Sequence, residues 1–336
     1  MTVTGAIDAG LDAADRLTLD EAATLLPGAT VTVVGSAGMG AAALAMGAAS
    51  VRVSDDSDPA TEALDASVFD GTSVVLLRLP KSLAALDRLA RLVASSAPSD
   101  VVVVAGGRLK YMSLGMNEVL SRSFETVDVS LARQKSRVLV ARRPQAAATV
   151  PPSLLHDDEL GLWVGSVGGV FAGSSVDIGT RALLSTLDRT PDYGTAVDLG
   201  CGTGILAAEL KRRRPTARVI ASDVSADAVA SARETAKANG LDFEIVRQRG
   251  LENLVDASVD LVLLNPPFHD GGGVSLDAAH AMFGEAARVL KPGAQLWTVW
   301  NSHLGYATAL RRIVGPTTEL ARTPKFTVTA STKSID

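Results

Sequence analysis

The chain of 336 residues contains one cysteine and four histidines. Cys201 alone excludes an internal disulfide and any cysteine-based zinc site. His156, His269, His280 and His303 show no metal-ligand spacing, so no metal is expected. No apolar run approaches the roughly 18 residues of a membrane span. The opening residues, MTVTGAIDAGLDAADRL, are acidic and lack the basic start of a secretory leader, which predicts a cytoplasmic protein. What is present is a globular composition, 47% apolar and 21% charged, in a length suited to two domains.

The net charge of -5 is unevenly spread. Residues 1–100 carry 6 basic and 13 acidic residues, residues 101–150 carry 8 and 3, and residues 151–336 carry 18 and 21. The basic middle segment, which includes Arg108, Lys110, Arg133, Lys135 and Arg137, is either a phosphate-binding surface or a set of solvated charges near a domain junction.

Short β-branched runs alternate with Ala/Leu-rich stretches of helical period. Strands are predicted at 31–34, 74–79, 101–105, 136–141, 196–199, 218–222, 259–264, 295–300 and 325–330. Helices are predicted at 38–47, 81–95, 203–213, 225–239 and 278–290. Such alternation predicts doubly wound, mostly parallel α/β domains. The Ala- and Pro-rich stretch from Arg143-Pro144 to Pro151-Pro152 is the linker candidate, placing the domains at 1–145 and 153–336. The halves also repeat: TVVGSAGMG (32–40) parallels AVDLGCGTG (196–204), VRVSDDS (51–57) parallels VIASDVS (219–225), VVLLRLPK (74–81) parallels LVLLNPPF (261–268), and ARQKSRVLVA (132–141) parallels ARTPKFTVTA (321–330). Four matches in one order indicate an internal duplication.

Asp198-Leu199-Gly200-Cys201-Gly202-Thr203-Gly204 follows a strand and opens a helix, where a Gly-rich turn lets a ligand approach the backbone. A dinucleotide loop would need a third glycine at Ile205. Gly200, Gly202 and Gly204, with Asp198 before them, suit S-adenosylmethionine instead, whose ammonium group calls for a carboxylate. Asp223 ends the next strand, about 20 residues past the loop, where an acid accepts both ribose hydroxyls. Cys201 reads as a small loop residue rather than a nucleophile.

Asn265-Pro266-Pro267-Phe268 leaves the carboxyl end of a buried strand. An amine conjugated to a base or an amide is a poor nucleophile. Two acceptors, the Asn265 side-chain oxygen and the Pro266 carbonyl, would each take one N–H, aim the lone pair and stabilise the charge that develops on nitrogen. The prolines hold the backbone extended, and Phe268 would stack on a flat target.

Five segments, GGVFAGSSVDIGTRALL (168–184), VDLGCGTGILA (197–207), NPPFHDGGG (265–273), RVLKPGAQLWTVWNSHLGYATALRRIVG (288–315) and RTPKF (322–326), resemble the bacterial ribosomal RNA guanine-N2 methyltransferases of the small- and large-subunit families. LRLPKSLAALDRLARLV (77–93) and GGRLKYMSLGMNEVL (106–120) are more similar to the large-subunit branch. The resemblance implies two tandem class I, Rossmann-like methyltransferase domains, each a doubly wound, mostly parallel sheet with an antiparallel strand. Only the second is then active. It implies S-adenosylmethionine as cofactor, ribosomal RNA or a ribosomal subunit as partner, and a monomer. Phe171, Asp177, Gly179 and Thr180 match the family segment that closes over the cofactor. Gly250 stands where such enzymes place an acid or amide on the adenine, so that contact is unassigned. In the first half Val33 replaces Asp198, and Arg78-Leu79-Pro80-Lys81 replaces the catalytic tetrapeptide. That copy cannot use this chemistry, although Arg78 and Lys81 can hold phosphates. Other readings are glutamine-N5 methylation of a protein, adenine-N6 methylation, and a non-catalytic RNA-binding assembly factor.

Overall fold

The structure is a computed structural model describing residues 10–56, 58–145, 152–167, 176–266 and 274–335, with side chains from 277 in the last stretch. The candidates Phe171, Pro267 and Phe268 lie outside the described residues. The chain divides into two compact units, Met1–Pro151 and Pro152–Asp336. No described helix is long and apolar enough to cross a membrane.

The first unit runs α1 (Ala13–Ala22), β1 (Thr30–Val34), α2 (Ala37–Ala45), β2 (Ser50–Ser54), β3 (Val74–Arg78), α3 (Leu83–Ser96), β4 (Val102–Arg108), α4 (Leu114–Ser121), β5 (Phe124–Val129) and β6 (Ser136–Pro144). Its sheet has the order β2-β1-β3-β4-β6-β5, parallel through β4, with β6 antiparallel to both of its neighbours. Successive strand residues face opposite sides. Val31, Val33, Val74 and Leu76 therefore pack with Leu17 and Met39 on one face, and Val34, Val75 and Leu77 pack with Leu86 and Met116 on the other. Helices on both faces explain why these strands read as continuous apolar runs.

The second unit runs β7 (Ser153–Asp157), β8 (Leu162–Ser166), α5 (Ile178–Leu184), β9 (Thr195–Leu199), α6 (Ile205–Arg213), β10 (Arg218–Asp223), α7 (Ala226–Ala238), β11 (Glu244–Arg247), β12 (Val259–Leu264), α8 (Val274–Val289), β13 (Leu290–Asn301), α9 (Ala307–Ile313), β14 (Thr317–Arg322) and β15 (Phe326–Thr332). Its sheet order is β11-β10-β9-β12-β13-β15-β14. Apart from the additional edge strand β11, it follows the first sheet strand for strand. The registers agree as well: Val34 lies opposite Ser54 and Leu77, and Leu199 lies opposite Ser222 and Leu264. Val33 thus corresponds to Asp198, and Arg78 to Asn265.

Several elements differ from the sequence expectation. β2, β5, β7, β8, β11 and β14 are not among the predicted strands, because they are edge or hairpin strands with mixed, partly exposed side chains, and the helices α1, α4, α5 and α9 are not among the predicted helices. The proposed linker begins too early: β6 continues through Arg143 and Pro144, and Pro144 pairs with Phe124.

The β7–β8 hairpin is held on α7 by side chains. The backbone amides of Trp163, Gly165 and Val167 donate to Asn239 Oδ1, Thr235 Oγ1 and Ser231 Oγ at 2.9, 2.8 and 2.8 Å. Two residues of strand advance about 6.7 Å and four of helix about 6 Å, so alternate strand amides meet acceptors spaced four apart on one helix face. Such closeness requires glycine at 165: a Cβ there would lie 2.8 Å from the Thr235 backbone nitrogen. Gly165→Ala is expected to destabilise the protein by about 1–3 kcal/mol through overpacking. Equilibrium denaturation of the full chain measures this, and an unchanged midpoint would refute the close packing.

Candidate active site

The candidate site lies at the carboxyl edge of the second sheet, where open α/β sheets keep their ligands. Because Leu199 is level with Ser222 and Leu264, the residues that follow, Gly200, Asp223 and Asn265, leave β9, β10 and β12 at one height.

The glycine loop is bent by left-handed residues. Gly200, Gly202 and Gly204 have φ of 70°, 53° and 73°, where side chains are disfavoured. The amides of Gly200 and Cys201 donate to Ser222 O, and Gly204 caps α6 against Ala232. Burial pushes the Cys201 thiol well up, with the charges of Asp223 and Asp198 adding to it, so it is no nucleophile.

Asp198 is buried near the carboxyl end of β9. Its Oδ2 accepts from the Ala207 amide at 3.0 Å, whereas Oδ1 is buried with no hydrogen-bond partner among the described residues. Burial pushes the carboxyl up to about 8, the Ala207 bond opposes this, and Asp223 adds to it. A buried acceptor without a donor is costly, and a ligand ammonium group relieves that cost. Asp223 accepts from the Gly202 amide at 2.9 Å through Oδ2 and from the Ser225 amide at 2.9 Å through Oδ1. Asp223 thereby braces the glycine loop from the end of β10. These features fit S-adenosylmethionine. Gly250, with φ of 54°, is fixed from behind: Ser222 Oγ donates to its carbonyl at 2.7 Å, and Gln248 Nε2 donates to Ser222 Oγ at 3.1 Å.

Asn265 is half-buried and Pro266 is buried. Asn265 Nδ2 donates to Thr180 Oγ1 at 2.9 Å and to Asp177 Oδ2 at 3.3 Å, and its Oδ1 is buried without a partner among the described residues. Asp177 is also the N-cap of α5, accepting from the Gly179 and Thr180 amides at 2.8 and 3.2 Å. Gly179 leaves room for the Phe326 ring, which a Cβ would approach to 3.2 Å. Asp177 and Thr180, expected on the cofactor, are thus brought to Asn265. Sequence reasoning missed this partnership. The signal lay in LDAADR (11–16) and VDIGTR (176–181), which repeat at the 165-residue spacing that relates Val33 to Asp198.

In the first unit Arg78 Nε donates to the buried Asp15 at 3.1 Å, and Arg78 Nη2 reaches Ser36 Oγ at 3.4 Å. Asp15 corresponds to Thr180. Arg133 pairs with Glu21 at 3.1 Å and with Asp20 at 3.5 Å. Arg137 buries its Nε without a partner among the described residues. Lys81 and Lys110 flank the exposed Tyr111, their Nζ atoms 4.6 and 4.5 Å from the ring centroid. Lys135 is exposed, and its carbonyl accepts from the Leu109 amide. Among the described residues no group of His, Cys, Asp or Glu could hold a metal ion.

Residues 161–330 match the family described as methyltransferase small domain, and residues 21–145 match the RLMG N-terminal domain. A protein named ribosomal RNA large subunit methyltransferase G from Pseudomonas entomophila is 35% identical, over 96% of this chain and 93% of its own length. One of the same name from Streptomyces coelicolor is 37% identical, over 84% of this chain and 76% of its own. The chain belongs to the ribosomal RNA large subunit methyltransferase G family. In fold this family member is similar to a T. thermophilus 16S rRNA N2 methyltransferase solved with AdoMet and guanosine. The TM-score is 0.79 at 21% identity, covering 96% of this chain and 92% of that one.

The state of Asp198 generates a test. An ammonium group beside Oδ1 favours the charged carboxylate. At pH 6.5 the free protein holds a proton on Asp198, and the cofactor amine, with an ordinary pKa of about 7.7–8.0, is already charged. Binding S-adenosylmethionine is therefore expected to release about one proton. Calorimetry in buffers of different ionisation heat reads this release, and Asp198→Asn should abolish it. Equal heats in all buffers would place the ammonium elsewhere.

Proposed function

We propose that the chain methylates the exocyclic N2 amine of a guanine in ribosomal RNA, with S-adenosylmethionine as donor, at Asn265 in the second unit. The observation that carries the reading is the buried Oδ1 of Asn265 at the carboxyl edge of β12, which has no partner among the described residues, in a chain whose relatives are named ribosomal RNA methyltransferases. When bound, S-adenosylmethionine supplies an electrophilic methyl group: the amine lone pair forms the N–C bond, the C–S pair passes to sulfur, and the nitrogen then loses a proton to solvent.

The chain's residues prepare that transfer. Asp198 and the glycine loop hold the donor, and Asp223 takes the ribose. Asn265 Oδ1 and the Pro266 carbonyl accept the two amine hydrogens, which turns the lone pair toward the methyl group and stabilises the charge on nitrogen. Phe268 stacks on the base, a role assigned from sequence. The first unit lacks the Asp198 carboxylate and the Asn265 amide, so one cofactor binds per chain.

Asn265→Ala is expected to leave cofactor affinity nearly intact and to cut single-turnover methyl transfer to unmodified ribosomal RNA by about 10²–10³-fold. Full activity would sink the mechanism. Any product other than N2-methylguanosine would sink the substrate assignment.

For RNA engagement the reading narrows to Lys81, Lys110, Lys135 and Tyr111. Arg78 and Arg133 are engaged by carboxylates, whereas an exposed ring between two lysines suits a stacked base with its phosphates. Replacing the three lysines by Gln should lower RNA affinity and flatten its salt dependence by about one unit for each phosphate no longer neutralised. Tyr111→Ala should weaken binding by about 1–3 kcal/mol with little change in slope. If affinity and slope both hold, the RNA lies on another face.

A further inference from the structure

We infer that Asp177 and Thr180 are positioning residues that set which end of the Asn265 amide faces the substrate. The inference rests on the methyl-transfer reading above and concerns a step within it. An asparagine amide is a donor at one end and an acceptor at the other, and the two ends are nearly equal in shape. Turned one way, Asn265 offers an oxygen to the target amine. Turned the other way, it offers two N–H groups to an amine that is itself a donor, and the reaction stops. Some neighbour must decide between these states.

The neighbours here are both acceptors. Thr180 Oγ1 donates its proton to Asp177 Oδ2 at 2.5 Å. The hydroxyl then has only lone pairs to offer Asn265 Nδ2, 2.9 Å away. Asp177 Oδ2 lies 3.3 Å from the same nitrogen, and an ionised carboxylate accepts only. An Asn265 oxygen at that position would find no donor and would face a carboxylate. The amide nitrogen is therefore held inward, which leaves Oδ1 as a buried acceptor with no partner among the described residues. Asp177 is itself fixed, because its Oδ1 accepts from the Gly179 and Thr180 amides at the start of α5.

The first unit keeps the link and loses the chemistry. At the positions of Thr180 and Asn265 stand Asp15 and Arg78, joined as an ion pair, and the N-cap equivalent to Asp177 is Asp12. The bond between the capped helix and the strand end survives, but a guanidinium has no acceptor to present.

This arrangement predicts an unusual genetic pattern. In Asp177→Asn the capping bonds still require an oxygen toward the Gly179 and Thr180 amides, so the new NH2 takes the place of Oδ2. Asn265 must then turn its oxygen inward. Single-turnover methyl transfer to unmodified ribosomal RNA should fall by about 10²–10³-fold, with cofactor affinity and melting temperature little changed. Adding Asn265→Asp should recover most of that loss, because a carboxylate presents an oxygen at both ends and accepts from the new amide at position 177. With Asp177 unchanged, Asn265→Asp should be poor, since it sets two carboxylates together. Thr180→Val, which removes one of the two acceptors, should lower turnover less than Asp177→Asn. Wild-type turnover in Asp177→Asn would overturn the inference. So would a double variant no faster than Asp177→Asn alone, which would assign Asp177 a role unrelated to the amide. Full activity in Asn265→Ala would instead defeat the underlying methyl-transfer reading and is measured separately.

Discussion

The register of three parallel strands is the constraint on which the site depends. Leu199 lies opposite both Ser222 and Leu264, so the chain leaves β9, β10 and β12 at one level and sets a glycine loop, a carboxylate and an amide side by side. Apolar packing on both faces holds that register, because a slip of one residue would turn every side chain to the wrong face. The first unit has the same register, with Val34 opposite Ser54 and Leu77. Its edge is therefore built with the same care, although the residues placed there are Gly35, Asp55 and Arg78. Scaffold and chemistry are separable: the two sheets share the one and differ in the residues that would carry the other.

Much of this was legible in the sequence because buried parallel strands announce themselves. Runs such as VVLL and LVLL need no alternation, since both faces are covered, and the residue after each run is by position a candidate for the site. Asn265 and Asp223 stand out in that way, and Asp198 by its place two residues before Gly200. The elements that escaped share the opposite property. β11, β14 and the β7–β8 hairpin lie at edges, where mixed side chains are stable and no apolar run is required. Tyr111 escaped because its meaning depends on Lys81, thirty residues away. The role of Asp177 escaped for a subtler reason. A carboxylate at a helix N-cap already has a complete local explanation, and only the fold shows that its second oxygen faces Asn265.

Two oxygens at the carboxyl edge of the second sheet, Oδ1 of Asp198 and Oδ1 of Asn265, are buried without a partner among the described residues and have a common logic. Each is buried where a hydrogen bond would normally be obligatory, and each sits where the proposed reaction brings a donor, an ammonium group in one case and an amine in the other. Leaving such atoms unsatisfied costs of the order of 1–3 kcal/mol apiece. That cost lies in the free protein and is relieved on binding, so it strengthens the grip on ligands at the expense of the fold. A sheet edge that holds no such ligand has no reason to bear it. The first unit has neither oxygen: Val33 is fully buried at the position of the carboxylate, and Arg78 is closed against Asp15 at the position of the amide. Neither replacement leaves a buried acceptor without a partner at those two positions. The same balance of donors and acceptors therefore separates the two sheet edges: the second offers acceptors to a ligand, and the first closes on itself.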